Sequence, residues 1–569
     1  MTIQPASDRS LSVSFGDEIS IEAHHQVARL TGALDRQRGV LNLHPAFASV
    51  LIDFDPRLHS HADIEALARR RMETAVDEAR PARLVEIPVC YGGEFGPDLE
   101  DVARHAGLSP ERVVELHAAA DYLVYFVGFA TCFPYLGGLP PQLATPRLPA
   151  PRTHVPAGSV AIGGSQAGIY PLASPGGWRI VGRTPLPLFD PQASPPPLLR
   201  MGDRVRFKPV QLLSDGVPSG PGSKPHSEPR TLEAVKESSY AGGTACATTT
   251  SPAFSEVGRA IPPASPACGR LFHTFSESGF RVLSPGFQTT VQDLGRFGFT
   301  HFGVSASGAA DPLALRAGNL LVGNAENAAA LEMTLLGGAF EFQTDAVIAL
   351  TGSDFGAALP LWTAVDIKAG DTVRCGATRS GARAYLAVRG GIGVPKAMGS
   401  ASTHLMTGVG GRPLRTGDVL PIGDAAIRRP RIGPPRAPGF ARTGPIRVTP
   451  GPQAHWFSDH LYAAAYRVTE ESSRMGLRLR GLAIPSPAGH MLTEGVPLGA
   501  IQVPPDGQPI ILFVEHQTTG GYPKPANAIS ADFWRLGQLR PRDEVRFERV
   551  TFEQALDLLR EQEQWLYAL

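Results

Sequence analysis

Between Ser214 and Ala267 the sequence stops supplying the residues from which a core is made. Ser, Pro, Gly, Ala and Thr dominate, and large apolar side chains are few. A stretch of that kind buries too little surface to offset the entropy of ordering it, and it reads as a flexible linker over 213–277. Two ordered halves must therefore fold on either side of it. The run GPGSKP inside it (Gly220 to Pro225) lacks the GxxxxGK[ST] spacing of a phosphate loop and reads as plain linker.

The first half begins with a clean alternation of periods. SLSVSF repeats every two residues, IEAHHQVARLTGAL has helical spacing, and GVLNLHPAF and SVLIDFD are two further strands. HADIEALARRRMETA is a second helix and RLVEIPVCY a last strand. The order β-α-β-β-α-β predicts a ferredoxin-like α/β domain over 1–82. From 83 to 212 the signals are short strands and turns, as expected from 62 glycines and 53 prolines in 569 residues. One helix interrupts them, with Ser109 as N-cap and Pro110 at its first position. The apolar run from Tyr122 is broken by Gly128, Pro134, Gly137 and Gly138, which predicts buried strands rather than a membrane span.

After the linker, order resumes near Phe280. PLALRAGNLLVG predicts a helix capped by Asp311, and strand-like runs follow. A proline-rich joint, RRPRIGPPRAPG, precedes a last β-rich unit, which ends in a helix opened by a Thr551–Gln554 capping box.

Lysine plus arginine equals aspartate plus glutamate, 53 against 53, which argues against a nucleic-acid-binding surface. Five scattered cysteines without a CxxC pair read as reduced thiols. MTIQPASDRS has no apolar signal core, so the expected location is cytoplasmic.

Two distant stretches rhyme. QAGIYPLASPGGWRIVG runs from Gln166, and QTTGGYPKPANAISADFWRLG from Gln517. GDRVRF, GDTVRC and RDEVRF each place an acidic turn before an alternating strand. Together they predict one barrel-like unit used repeatedly. Familiar catalytic signatures are missing: GGSQA misses the nucleophile elbow, and Ser305 and Ser307 read as turn hydroxyls. Charged and polar residues in glycine-rich loops remain: Arg147, Arg152, Gln166, Tyr170, Arg183, Gln292, Asp293, Arg296, Asp311, Glu494, Gln502, Gln508 and Lys524. Glycines admit a ligand close to backbone amides, and Arg and Lys suit phosphate or carboxylate. Collectively they suggest anion-binding barrel clefts and no named reaction.

Longer motifs carry a resemblance. PVCYGGEFGPDLEDVARHAGLSPERVVELH, FPYLGGLPPQLATPR, VPAGSVAIGGSQAGIYP and SPGGWRIVGRTP resemble the B subunit of the prokaryotic 5-oxoprolinase, a family that includes a histidine-kinase inhibitor and has been labelled allophanate hydrolase subunit 1. SPGFQTTVQDLGRFGFTHFGVSASGAADPLALRAGNLLVGN, ALTGSDF, SGARAYLAVRGGI, RMGLRLRG, AIQVPPDGQPI and QTTGGYPK are similar to the C subunit. Both halves also resemble the carboxyltransferase region of biotin-dependent urea carboxylase. The chain reads as a B–C fusion.

The resemblance implies a mainly β fold with α+β parts: the ferredoxin-like domain, then cyclophilin-like barrels at 83–212, 278–440 and 441–569. It implies ATP-dependent opening of 5-oxoproline to glutamate, with ATP and Mg2+ as cofactors, a small-molecule substrate and a separate A subunit; homo-oligomerisation stays open. Asp293, Asp311, Glu494 and Lys524 would form the catalytic set, the three carboxylates serving magnesium or proton transfer. Arg147, Arg152, Arg183 and Lys524 would hold phosphates. Gln166, Tyr170, Gln292, Arg296, Gln517, Thr519, Gly520, Gly521 and Tyr522 would line the substrate or nucleotide cleft. The chain departs from the family at Thr131-Cys132, Leu148 and Pro525-Ala526. Two alternatives stand beside this reading, a carboxyltransferase-like module for a urea-type amide and a non-catalytic kinase inhibitor.

Overall fold

The structure, a computed structural model, describes residues 1–74, 82–211, 279–424, 443–486 and 491–569. The expected linker and the proline-rich joint lie almost wholly outside the described residues.

At the N-terminus the strands Thr2–Ser7, Ser10–Ser14, Val40–Pro45 and Ser49–Phe54 form an antiparallel sheet, ordered first, second, fourth, third along the chain. Helices Ile21–Leu34 and His61–Thr74 pack on it, burying Val27, Leu30 and Ile64 against Val13, Val50 and Ile52. Ser20 caps the first helix by accepting from the Ala23 amide at 3.0 Å. The predicted β-α-β-β-α-β order is corrected in two places. Thr2–Ser7 supplies an extra leading strand through a tight hairpin, and the strand Leu84–Tyr91 leaves this sheet altogether.

Leu84–Tyr91 instead opens a closed seven-stranded barrel. The barrel closes where Arg204–Pro209, the GDRVRF strand, pairs parallel with it from Arg204 opposite Leu84 to Pro209 opposite Val89. Ile87, Val124, Leu136, Ile162, Val181 and Phe207 fill the inside. The predicted helix Pro110–Ala119 is present, with the Ser109 hydroxyl accepting from the Arg112 amide. A helix beyond those predicted, Leu99–Ala106, precedes it and ends at Gly107 in the left-handed region.

In the second half, a four-stranded sheet containing Gly279–Ser284 and a five-stranded sheet containing Gln288–Gln292 share a core of Phe280, Phe340, Leu331, Ile348 and Leu386. The helix Pro312–Leu321 covers the five-stranded sheet, capped by Asp311 as expected. The last unit is an eight-stranded sheet whose two outer strands, Glu544–Val545 and Phe547–Arg549, are consecutive in the chain, so the sheet nearly closes. Its closing strand again pairs parallel with the opening one, Ile446–Pro450.

The rhyme is thus half structural. GDRVRF closes its barrel and RDEVRF ends its nearly closed sheet, each in parallel with the first strand, whereas GDTVRC lies in a strand, Thr372–Arg374, at the edge of its sheet. Trp178 precedes the strand Arg179–Arg183, but Trp534 sits in the helix Phe533–Gln538, so the Trp-Arg match does not mark one shared corner.

The two halves interlock. Val304 is buried in the core of the first barrel, with Phe299 and Phe302 packed against it. The Cys132 amide donates to the Phe302 carbonyl at 3.0 Å, and the Thr300 hydroxyl donates to the Leu43 carbonyl at 2.8 Å. Gly303 must be glycine here: it has φ +72° and a Cβ would stand 2.8 Å from the Ala130 oxygen.

Candidate functional site

Where the halves face each other they leave a cleft of about 1670 Å3, its walls including Asn42, Gly158 and Arg183 from the first half and Gly298, Lys396 and Gly410 from the second. Arg183 is the one residue of the expected set directly on its lining. The end of the strand Arg179–Arg183 aims it there, its guanidinium lies 5.4 Å from the Phe95 ring, and its buried Nε has no hydrogen-bond partner. A cation with spare donors on a large open wall suits an anionic ligand.

The other first-half candidates are placed differently. Arg152 makes a bidentate pair with the buried Asp98 at 2.9 and 2.7 Å, and Asp98 also accepts from the Ile180 amide. In the free protein the fork expected to hold a phosphate grips this carboxylate. Exposed Arg147 sits over Trp178 at 5.6 Å, and Tyr170 is buried in an aromatic cluster with Phe133 and Trp178. Gln166 is half-buried with its Oε1 unpartnered. Cys132 is buried against the interlocking loop, and burial pushes its thiol well up, as expected of an inert sulfur.

In the second half Asp293 accepts from the Ser400 and Ser402 hydroxyls and from the Gly295 and Ala401 amides. Asp311 accepts from the Ala314 amide and from the Gln538 side chain. Gln292 donates to the Thr403 carbonyl and the Thr290 hydroxyl. All three side chains are hydrogen-bonded to neighbouring loops of the chain. Arg296 lies next to the cleft lining residues Phe297 and Gly298, fully buried.

Glu494 and Lys524 do come together. Lys524 donates its ammonium to Glu494, Gln453 Nε2 donates to the same carboxylate oxygen at 2.8 Å, and the Gln453 side-chain Oε1 accepts from the Lys524 backbone amide. Gln517 and Gln502 both place amide nitrogens against Gly520, while Gly521 lies near Met491 and Tyr522 is exposed. Thr519 reaches the first barrel, its hydroxyl accepting from the Phe129 amide at 2.8 Å. His44 Nδ1 lies 3.1 Å from the Thr518 carbonyl oxygen and Nε2 2.9 Å from an Asp53 carboxylate oxygen, so the ring faces acceptors on both sides. Burial pushes the Asp53 carboxyl up, but His44, Arg9 and Ser10 outweigh it and hold it at about 2.

Gln453, His44 and Asp53 escape a reading of the sequence. Their only signals are a Gly-Pro-Gln turn and two alternating strands; His44 and Asp53 sit nine residues apart on neighbouring strands, and the other pairings cross dozens to hundreds of residues. Magnesium does not fit the expected carboxylates: Asp293, Asp311 and Glu494 belong to three separate networks with internal partners. Among the described residues no group of three or more His, Cys, Asp or Glu could hold a metal ion.

These features, interlocked β-barrel halves around one shared cleft, define a carboxyltransferase-domain protein. Residues 1–199 match the carboxyltransferase domain, subdomains C and D, and residues 302–549 match subdomains A and B. Over 218 residues, 36% of this chain, it is 43% identical to the 5-oxoprolinase B subunit of Bacillus subtilis, covering 91% of that protein. Over 302 residues, 51% of this chain, it is 40% identical to the 5-oxoprolinase C subunit of Escherichia coli, covering 97% of it. The crystal structure of TTHA0988 superposes with a TM-score of 0.77 at 35% identity, over 95% of this chain and 99% of that one. The chain belongs to the family of the 5-oxoprolinase B and C subunits, with both joined in one polypeptide.

Proposed function

We propose that the chain is the joined B and C component of an ATP-dependent 5-oxoprolinase, opening 5-oxoproline to L-glutamate in the cytoplasm together with a separate A subunit. The observation that carries this reading is that near-complete B-like and C-like segments follow one another and wall a single cleft. Its units would span 1–82, 83–212, 278–440 and 441–569, with the linker at 213–277. No helix among the described residues is long and apolar enough to cross a membrane.

A lactam carbonyl is a weak electrophile. ATP, when bound, would supply the phosphoryl group that activates the lactam carbonyl carbon. Addition of one water with cleavage of the ring C–N bond, then hydrolysis of the phosphoryl group by a second water, would give glutamate, ADP and phosphate. Arg183 would hold the phosphates through its unpartnered Nε, with Lys396 adding positive charge on the opposite wall. Gln502, Gln517, Gly520 and Glu494 lie off the cleft lining. The two amides would orient a substrate group beside Gly520, and Glu494, held by Lys524 and Gln453, would accept a proton at that second locus. Asp293 and Asp311 keep the loops behind this arrangement in place.

Mixing the purified chain with a cognate A subunit, ATP, magnesium and 5-oxoproline should yield glutamate and ADP, and only when all are present. Biotin-carrier-dependent turnover of a urea-type amide, or kinase inhibition without turnover, would replace this reading.

A further inference from the structure

A fully buried guanidinium ordinarily finds acceptors for its hydrogens, because leaving them unpaired in a low-dielectric interior is costly. Arg296 does not. At 1% exposure it donates from Nη2 to the Ser402 carbonyl, while Nε and Nη1 are buried with no partner among the described residues. Carboxylates are near enough to influence it, but their oxygens are engaged. Asp293 takes two hydroxyls and two amides, and Glu515 takes Arg474, Ser307 and the Leu405 amide. Burial accordingly draws the guanidinium down to about 10, despite Asp293 and Glu515. Ser305 Oγ and Gln292 Oε1, close by in the chain, are also buried without partners.

What covers Arg296 is a glycine-rich strap, Thr407–Gly411. Gly408, Gly410 and Gly411 have φ of +71°, +79° and +133°. A Cβ on Gly410 would stand 2.1 Å from the Ser402 oxygen and 2.9 Å from Arg296 Nη2, so the strap lies directly on the guanidinium. The strap residues Thr407 to Gly410 line the cleft.

We propose that Arg296 anchors an oxyanion site in the cleft wall, behind the strap Thr407–Gly411, where Nε and Nη1 take the oxygens of a small carboxylate or phosphate. The unused donors, the absence of a free carboxylate beside them and the adjoining cleft all point to a ligand oxygen. The site rests on the 5-oxoprolinase reading only for the identity of the physiological anion.

The test uses the full chain at constant ionic strength, with inorganic phosphate, 5-oxoproline and glutamate as separate probes. Calorimetry and thermal unfolding compare it with Arg296→Met. At least one probe should bind the natural chain and raise its melting temperature, and Arg296→Met should weaken that binding by about tenfold or more. Without any probe the variant should melt no lower than the natural chain, since an unpaired buried charge has been removed. Response to phosphate alone assigns a phosphoryl site; response to 5-oxoproline or glutamate assigns a carboxylate site. Equal responses in both proteins to every probe, or a variant that melts lower while binding all probes unchanged, would overturn the proposal. Should Arg296→Met fail to fold, Arg296→Lys keeps the positive charge and removes the paired Nε and Nη1 donors. Weakened anion binding is expected there, and unchanged binding sinks the site. Arg296-dependent binding with no turnover alongside the A subunit would keep the site and discard the proposed reaction; turnover without such binding would do the reverse.

Discussion

Arg474 and Arg296 lie in the same half of the chain, both almost fully buried, and their surroundings treat them oppositely. Arg474 belongs to the seam between the two second-half units. All three of its guanidinium nitrogens are engaged, by Glu515, by Glu332 and by the Gly308 carbonyl. Glu332 in turn accepts from Tyr385 and the Ala310 amide. Burial works against the charge of both arginines; Glu332 and Glu515 outweigh it at Arg474 and push its guanidinium up, whereas Arg296 is left low. A saturated buried charge holds structure together, while an unsaturated one beside a cleft is available to a ligand. That distinction separates the seam from the site.

The largest effect should come from opening the seam. Glu332→Gln leaves Arg474 and Arg383 facing a neutral amide, and removing one partner of a buried pair costs about 3–5 kcal/mol. Urea denaturation should show the loss, and Arg296→Met should not share it. Equal losses in the two variants would erase the contrast.

Next to the seam, His516 shows a third way of carrying a buried titratable group: neutral. Its Nδ1 donates to the Gln517 carbonyl, and burial lowers it from 6.5 to about 4, with His44 pushing the same way and Asp53 opposing. The folded value lies below the unfolded one, so the unfolded chain binds the proton first as pH falls. Stability is then complete above about 6.5 and declines toward about 4. Between pH 7.5 and 4.5, His516→Gln should lose about 2–3 kcal/mol less than the natural chain in matched denaturation curves. Parallel losses would mean the imidazole is already solvated.

Much of the local structure is legible in the sequence because its causes are local. Ser109, Asp311 and Thr551 each cap a helix through an amide three residues on, so spacing alone finds them. The helix Phe533–Gln538 is hidden because WRLG matches WRIVG in letters only; tertiary packing of Trp534 and Leu536, not a repeated motif, decides its shape. The sheet that takes Leu84–Tyr91 is equally hidden, because its strand partner begins at Arg204. The same limit governs the site. Arg152 and Arg183 look alike in sequence, each an arginine in a glycine- and proline-rich barrel turn. Only Asp98, brought in from 54 residues away, tells them apart.

That pair gives the smallest and most discriminating test. Arg152 is about one-third exposed, at 31%, so its bidentate bond to Asp98 contributes a solvent-discounted amount, about 1 kcal/mol. Arg152→Gln should therefore appear mainly in the melting curve. Among the described residues Arg183 has no carboxylate partner, so Arg183→Gln gives up little in the free protein. Its loss should fall on the ligand instead, as about a tenfold rise in KM for ATP in the reconstituted reaction, the size of one charge-assisted hydrogen bond. The two effects should separate, stability with Arg152 and KM with Arg183. If Arg152→Gln raises KM as far as Arg183→Gln does, Asp98 releases its arginine when ligand arrives. Bond saturation in the free protein would then be no guide to which arginines work in the cleft.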